Sequence, residues 1–239
     1  MSGHSKWSKV KHQKATTDVV KSAAFTKAAH AITIAVREGG GISDPNMNFH
    51  LRLAVERARA VNMPKENIQR AMARAAGEGA AAIAQVQYEA YGPGGVAFLI
   101  EAATDNRQRS VSQVKNVLER AGGTLASPGA VSFQFRRRGV LTVPRAGQSL
   151  DAVLSAAIEG GGDDVAETQD FYEVYTADRA LFSVKKKLEE QRIPIDNAVL
   201  IMYPTTTVVL DKEKRETTEK LVGELSQLED VQTVYTNVA

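Results

Sequence analysis

The order of elements between Arg136 and Tyr203 constrains this chain more than any other feature. A strand pattern at Val140–Val143 precedes a helix from Leu150 to Glu159, which Gly160-Gly161-Gly162 stops. Strands follow near Val165–Thr168 and Phe171–Tyr175, then a helix over Arg179–Gln191 and a strand at Ala198–Tyr203. That order, βαββαβ, is a complete split-βαβ, ferredoxin-like unit. It leaves two incomplete pieces on either side. The first is a strand at Val96–Ile100, a helix through Val111, Val114, Val117 and Leu118 that ends at Gly122-Gly123, and a strand at Val131–Phe135. The second is a strand at Thr207–Leu210, a helix at Lys214–Leu228 and a strand at Val231–Val238. Together the two halves make one more such unit. The expectation is therefore a discontinuous α/β domain, 80–135 plus 205–239, with a second ferredoxin-like domain, 136–204, inserted in it.

Upstream, the hydrophobic period is that of helices. Phe25, Ala29, Ile32 and Val36 form one apolar stripe, and Gly39-Gly40-Gly41 ends it. Asp44-Pro45 reads as the start of a second helix, with Leu51, Val55 and Ala58 inward. Pro64 opens a third, with Ile68, Met72 and Ala75 apolar and Glu66 four residues before Arg70. Gly77 and Gly79 close it. The expected class is α+β: a three-helix domain over 1–79 with a basic arm, then the two ferredoxin-like domains.

Charge is unevenly distributed, although the formal net charge is only +2. Residues 1–77 carry 13 Lys and Arg against 5 Asp and Glu, and the remainder carries 17 against 23. The first fourteen residues concentrate the pattern. Lys6, Lys9, Lys11 and Lys14 alternate with His4, Trp7 and His12, and no acid occurs before Asp18. Ammonium groups displace counterions from a phosphate polymer, and an indole offers a face on which a base can stack. A solvated tail is the bland reading of such a terminus; the basic N-terminal part joined to an acidic body favours polyanion binding. Lys27, Arg52, Lys65 and Arg70 on the helical part extend the candidate set. Arg107 and Arg109 join it because they sit in a turn behind a buried strand, where a rigid scaffold would present them.

Catalytic constellations do not assemble. Gly92-Pro93-Gly94-Gly95 precedes a strand and has Ala97 where a dinucleotide fingerprint needs glycine, so it reads as a turn. The histidines lack metal-ligand spacing, and with no cysteine there are no thiolate sites and no disulfides. No G-x-S-x-G elbow exists. A non-enzyme with no cofactor and no metal is expected. Arg136-Arg137-Arg138 reads as a solvated hinge, Lys185-Lys186-Lys187 as a soluble helix face, and Arg57 and Arg59 as solvated. No apolar run is long enough to cross a bilayer, so no membrane is expected as a partner.

Several ordered stretches together resemble the YebC family, whose mitochondrial branch includes the translational activator of cytochrome oxidase subunit one. They are Gly3-His4-Ser5-Lys6-Trp7, Lys11-His12, Phe25-Thr26-Lys27, Gly39-Gly40 with Asp44-Pro45, and Asn62-Met63-Pro64-Lys65-Glu66-Asn67-Ile68. Tyr91-Gly92-Pro93-Gly94-Gly95, Thr104-Asp105-Asn106-Arg107 and Asp230-Val231-Gln232-Thr233-Val234-Tyr235 continue the match over essentially the whole length. Ser2, Ala90 and His50 depart from the commoner Ala, Gly and Arg, and Ile42-Ser43 lengthens one loop. The chain starts at the family's first motif, which points to a bacterial, cytoplasmic member.

The resemblance implies a helical domain followed by two α/β domains. It also implies one of two functions: DNA-binding transcriptional regulation, or assistance to ribosomes at difficult stretches such as consecutive prolines. The residues lean toward RNA. No helix reads as a recognition helix with Arg, Asn or Gln at its start, whereas a Lys-Trp-Lys-His arm suits accessible RNA bases. The expected partner is the ribosome and its rRNA, with duplex DNA as the alternative, and the expected state is a monomer or weak dimer.

Overall fold

The computed structural model describes residues 18–77 and 83–239, and these form seven α-helices and eight β-strands. Helices α1 (Asp18–Glu38), α2 (Phe49–Ala60) and α3 (Lys65–Ala76) come first. They enclose a core of Ile32, Val36, Leu51, Val55, Ala58, Ile68 and Ala75. The start expected at Asp44-Pro45 is displaced to Phe49. Asp44 instead makes a local turn, its Oδ1 accepting from Asn46 N–H at 2.9 Å. Asn48 is the cap: its Oδ1 accepts from Leu51 N–H, while its Nδ2 donates to Ala35 O at 2.8 Å and Ile42 O at 3.1 Å. One buried amide thus starts α2 and ties it to the end of α1. A side chain at Gly39 would meet that amide, since a Cβ built there lies 2.1 Å from Asn48 Nδ2.

The first sheet comprises β1 (Ala84–Tyr91), β2 (Ala97–Thr104), β3 (Thr124–Ala126) and β8 (Val231–Thr236), with α4 (Arg107–Arg120) and α7 (Lys212–Gln227). Its order is β3-β1-β2-β8, antiparallel throughout. This is the ferredoxin-like order, but two strands are not those expected. The strand between β2 and β3 is β1, which precedes the glycine turn and pairs with β2 from Ala84↔Thr104 to Tyr91↔Ala97. Thr207–Leu210 makes only a single parallel bridge, Val208↔Val238, and Val209 is 82% exposed. Likewise the strand after α4 is Thr124–Ala126, whereas Ser132–Gln134 is a short 3-10 turn. Strand β2 is buried on both faces. Phe98 and Ile100 pack with Val114, Leu118, Leu221 and Leu225 on one side, and α1 lies against β2 and β8 on the other. The three helices and this sheet form one compact unit.

The second compact unit is Phe135–Thr205. It holds β4 (Phe135–Pro144), α5 (Leu150–Gly160), β5 (Gly162–Glu167), β6 (Phe171–Ala177), α6 (Leu181–Glu190) and β7 (Asn197–Pro204), with sheet order β5-β6-β4-β7. Ser149 caps α5 by accepting from Ala152 N–H, and Gly161, at φ 89°, ends it in the left-handed conformation. Leu141, Val143, Val153, Val174, Leu181 and Leu188 are fully buried. The arginine run is not a hinge. It lies inside β4, paired with β7 from Arg136↔Tyr203 to Arg138↔Ile201. Arg138 also pairs with Asp163 at 3.1 Å and lies over the rings of Tyr175 and Tyr203.

Candidate nucleic-acid interface

The arm residues His4, Lys6, Trp7, Lys9, Lys11, His12 and Lys14 lie outside the described residues. The other six candidates divide by what their cations already hold. Arg52 is committed to its own loop, donating from Nε to Pro45 O and from Nη2 to Asn46 O, both at 3.0 Å. Lys27 is half-buried on α1, and its Nζ donates to Ser226 O near the end of α7. Burial pulls the Lys27 ammonium down to a pKa of about 8. Arg109 is the centre of a clasp: Nη2 lies 2.7 Å from Asp105 Oδ1 and 3.0 Å from Asp230 Oδ1. Asp230 is 2% exposed and also accepts from Thr104 Oγ1 at 2.9 Å. The hydrogen bond donated to Asp230, then the charge of that carboxylate, raises the Arg109 pKa. These three side chains hold the fold together.

Lys65, Arg70 and Arg107 are exposed and have no ion pair among the described residues. Arg107 opens α4 behind the Asn106 cap, whose side chain accepts from Arg109 N–H. Lys65 and Arg70 sit on α3, and the helix itself explains their exposure. Ile68, Ala71 and Ala75 turn one face inward, so Lys65, Gln69, Arg70 and Arg74 turn out. The Glu66–Arg70 pair expected from spacing does not form; Arg70 Nη2 donates to Asn67 Oδ1 at 3.1 Å. Arg74, four residues on, repeats the positive charge on that face. Arg59 of α2 is exposed and unpaired among the described residues as well. Arg74 is not among the candidates the sequence offers, and Arg59 reads from sequence as solvated. The available signal was the Arg70–Arg74 pair at i,i+4, like charges that cost an isolated helix a few tenths of a kcal/mol, with Glu66 four residues before Arg70 as the acid on the same side.

The link between α2 and α3 is four residues, Val61–Pro64. Asn62 adopts φ +60°, its N–H donating to Arg59 O, and Met63 is buried beneath it. A turn of that length joins the helices of helix-turn-helix motifs, whose second helix presents its N-terminal residues to a groove. Contrary to the sequence expectation, there is thus a helix with Lys, Gln and Arg exposed over its first half.

Among the described residues, no helix is long and apolar enough to cross a membrane. The described helices and sheets have close counterparts in known proteins. Residues 5–78 match the model of the TACO1/YebC protein N-terminal domain, and residues 83–238 match that of the TACO1/YebC second and third domain. A probable transcriptional regulatory protein of Sulfurihydrogenibium sp. is 44% identical over 240 residues, covering 99% of this chain and 95% of the relative. A protein of the same description from Chlorobaculum tepidum is 43% identical, covering 100% and 95%. The crystal structure of a conserved hypothetical protein from Aquifex aeolicus superposes with a TM-score of 0.85 at 39% identity, covering 98% of this chain and 96% of that one. With both domain models matched in order and full-length relatives above 40% identity, this chain belongs to the TACO1/YebC family.

Proposed function

We propose that this protein is a non-enzymatic regulator that binds nucleic acid through the outer face of α3 and the lysine-rich arm. The observation that carries the proposal is the set of exposed, unpaired cations on α3: Lys65, Arg70 and Arg74. The names of the relatives support transcription, with duplex DNA as ligand, and so does the helix-turn-helix spacing of α2 and α3. In this reading the modules 1–79, 80–135 with 205–239, and 136–204 divide binding from spacing, in the cytoplasm.

The arm supports a second reading, a translation factor acting on the ribosome at proline-rich stretches. Its Lys-Trp-Lys spacing offers phosphate contacts and a stacking ring but no groove-reading geometry. One set of measurements separates the two. Binding to a mixed-sequence DNA duplex and co-sedimentation with ribosomes are each followed against salt for the wild type, the K6A/K9A/K11A variant and the K65A/R70A/R74A variant. Loss of three phosphate contacts lowers the log–log salt slope by about two to three units. Duplex binding that weakens in the α3 variant supports transcription. Ribosome association at physiological salt that is lost in the arm variant supports translation. If neither ligand binds, the nucleic-acid reading fails.

A further inference from the structure

Helices α5 and α6 pack together over one face of the insert's sheet. Gly139 and Leu141 turn to that face: a Cβ built at Gly139 would lie 2.9 Å from Leu181 Cβ of α6, and Leu141 stands opposite Val174. The alternate residues therefore turn to the other face. Arg138 is one of them, and its guanidinium lies 5.4 Å from the Tyr175 ring centre and 5.3 Å from that of Tyr203. Among the described residues of this unit, no helix lies on that side. A sheet face left to water carries exposed polar side chains. This one is closed instead. Val140 is 1% exposed, Val199 2% and Glu173 0%, and Thr142 and Tyr175 are buried beside them.

Whatever closes the face has to suit a carboxylate. Glu173 Oε2 accepts from the Tyr175 hydroxyl at 2.7 Å, and an ionised carboxylate at that depth is stable only beside compensating charge and donors. Asp164, on β5 opposite Tyr175, adds a second acid. Burial raises the Tyr203 pKa, Arg138 lowers it, and the charges of Asp164 and Glu173 raise it, so both acids act on the same side of the sheet as that ring. Of the cations on this face, Arg138 pairs with Asp163 at 3.1 Å, and Arg136 is exposed two residues nearer the start of β4.

We infer that the helix-free face of the insert is a docking site for the N-terminal arm of the same chain, whose lysines meet Glu173 and Asp164. Charge selects the arm: Lys6, Lys9, Lys11 and Lys14 come with no acid before Asp18. A phosphate polymer is repelled by the same carboxylates, and a second copy of the sheet would set Glu173 against Glu173. Length permits the docking, since Lys6 to Lys14 spans about 27 Å when extended, more than the width of four strands spaced about 4.8 Å apart. Tethering favours it further by holding the arm at a local concentration of about millimolar. Docked lysines are withheld from phosphate, so the face competes with nucleic acid for the arm. That consequence rests on the nucleic-acid reading above, whereas the docking does not.

The chain has no cysteine, so Ser2→Cys takes a single nitroxide, and paramagnetic broadening of amides in the full isotope-labelled chain reads where the arm lies. Broadening is expected in β4, β6 and β7, and is expected to be lost in K6A/K9A/K11A. Glu173→Gln keeps an oxygen for the Tyr175 hydroxyl and removes the charge. It should weaken the broadening and, by freeing the arm, tighten binding of a mixed-sequence DNA duplex about three- to tenfold. An amide spectrum that otherwise overlays the wild type shows that this variant folds; if it does not fold, K6A/K9A/K11A carries the test. Absent or scattered broadening, or broadening unchanged in K6A/K9A/K11A, overturns the inference. So does broadening that appears only between nitroxide-bearing and isotope-labelled chains in a mixed sample, which makes the occupant another copy's arm. Duplex affinity unchanged by Glu173→Gln when the broadening is lost overturns the competition. If no duplex binds while the broadening pattern holds, the nucleic-acid reading fails and the docking stands.

Discussion

Glu89 is a carboxylate buried in the first compact unit. Its Oε1 accepts from Gly129 N–H at 2.7 Å, and its Oε2 accepts from Val131 N–H at 2.6 Å and Ser132 N–H at 2.9 Å. Burial alone would raise its pKa, but the three backbone donors together hold it below the ordinary 4.5. This side chain is why Val131–Phe135 is not the strand its alternation of Val, Phe and Phe suggests. Its backbone donors go to a carboxylate forty residues earlier instead of to a neighbouring strand. Nothing in the local pattern around residue 131 could reveal that. The Glu89→Gln variant turns an amide toward those N–H groups and is expected to cost about 2–3 kcal/mol in urea unfolding at neutral pH. The pH dependence has a definite sign. Because the folded-state pKa is depressed, the stabilisation is fully present above the unfolded value near 4.5 and is lost as pH falls through the folded value. The stability gap between wild type and variant should therefore narrow as the pH of the unfolding measurement is lowered from 7 into the acid range below 4.5.

Arg109 makes the complementary point about the candidate site. From sequence it is a loop arginine on a rigid scaffold, the same description that fits Arg107. The structure separates them, because Arg109 meets Asp230 from a turn 121 residues away while Arg107 does not. Arg109→Ala should leave Asp230 buried with one partner fewer, costing about 1–3 kcal/mol of stability, with little change in the salt slope of nucleic-acid binding. Arg107→Ala should do the reverse. Thermal unfolding and a salt titration of each variant check the pair.

At the scale of elements, the start of α2 is set by Asn48 and not by the Asp-Pro pair that advertises a helix. Asp and Asn are comparable caps in isolation. Asn48 wins because it alone has an amide to give both to Ala35 O near the end of α1 and to Ile42 O in the loop that follows. Asn48→Asp keeps the cap oxygen and loses both donations, and Asn48→Ala loses all three bonds. Chemical denaturation should rank them wild type, then N48D, then N48A, with N48A down by about 2 kcal/mol or more. The third helix was legible from local signals, Pro64, the apolar Ile68, Met72 and Ala75, and the closing Gly77, although Ala71 and not Met72 is the third buried residue. Its Arg70–Arg74 spacing was legible too, but exposure of that face was not, since periodicity does not say which neighbours cover a helix.

At the scale of the molecule, one ferredoxin-like unit interrupts another between Gln134 and Thr206. The two ends of the interruption are close: Thr206 Oγ1 donates to Gln134 Oε1 at 3.4 Å, and Asn237 Nδ2 donates to the same oxygen at 2.9 Å. The host has its own core, built on Phe98, Ile100, Leu118, Leu221 and Leu225, none of them from the insert. Excising residues 135–205 and joining the ends through a few glycines should leave a host that unfolds cooperatively with its helical signal intact. A host that melts without a transition would show that the insert is needed for its fold.

From the sequence alone come the described helices and the βαββαβ order of residues 136–204. Those properties follow from hydrophobic period, helix caps and glycine stops, which act over a few residues. It also determined the family and the concentration of positive charge at one end. Folding in three dimensions selects β1 over Thr207–Leu210 to complete the first sheet, and lets Glu89 hold the backbone of Val131 and Ser132 in a turn. It likewise decided that Lys27, Arg52 and Arg109 are spent on the fold while Lys65, Arg70 and Arg74 are not. The physical reason is the same in each case. Strand pairing and ion pairing are chosen between groups tens to hundreds of residues apart, and their partners become neighbours only when the chain is folded.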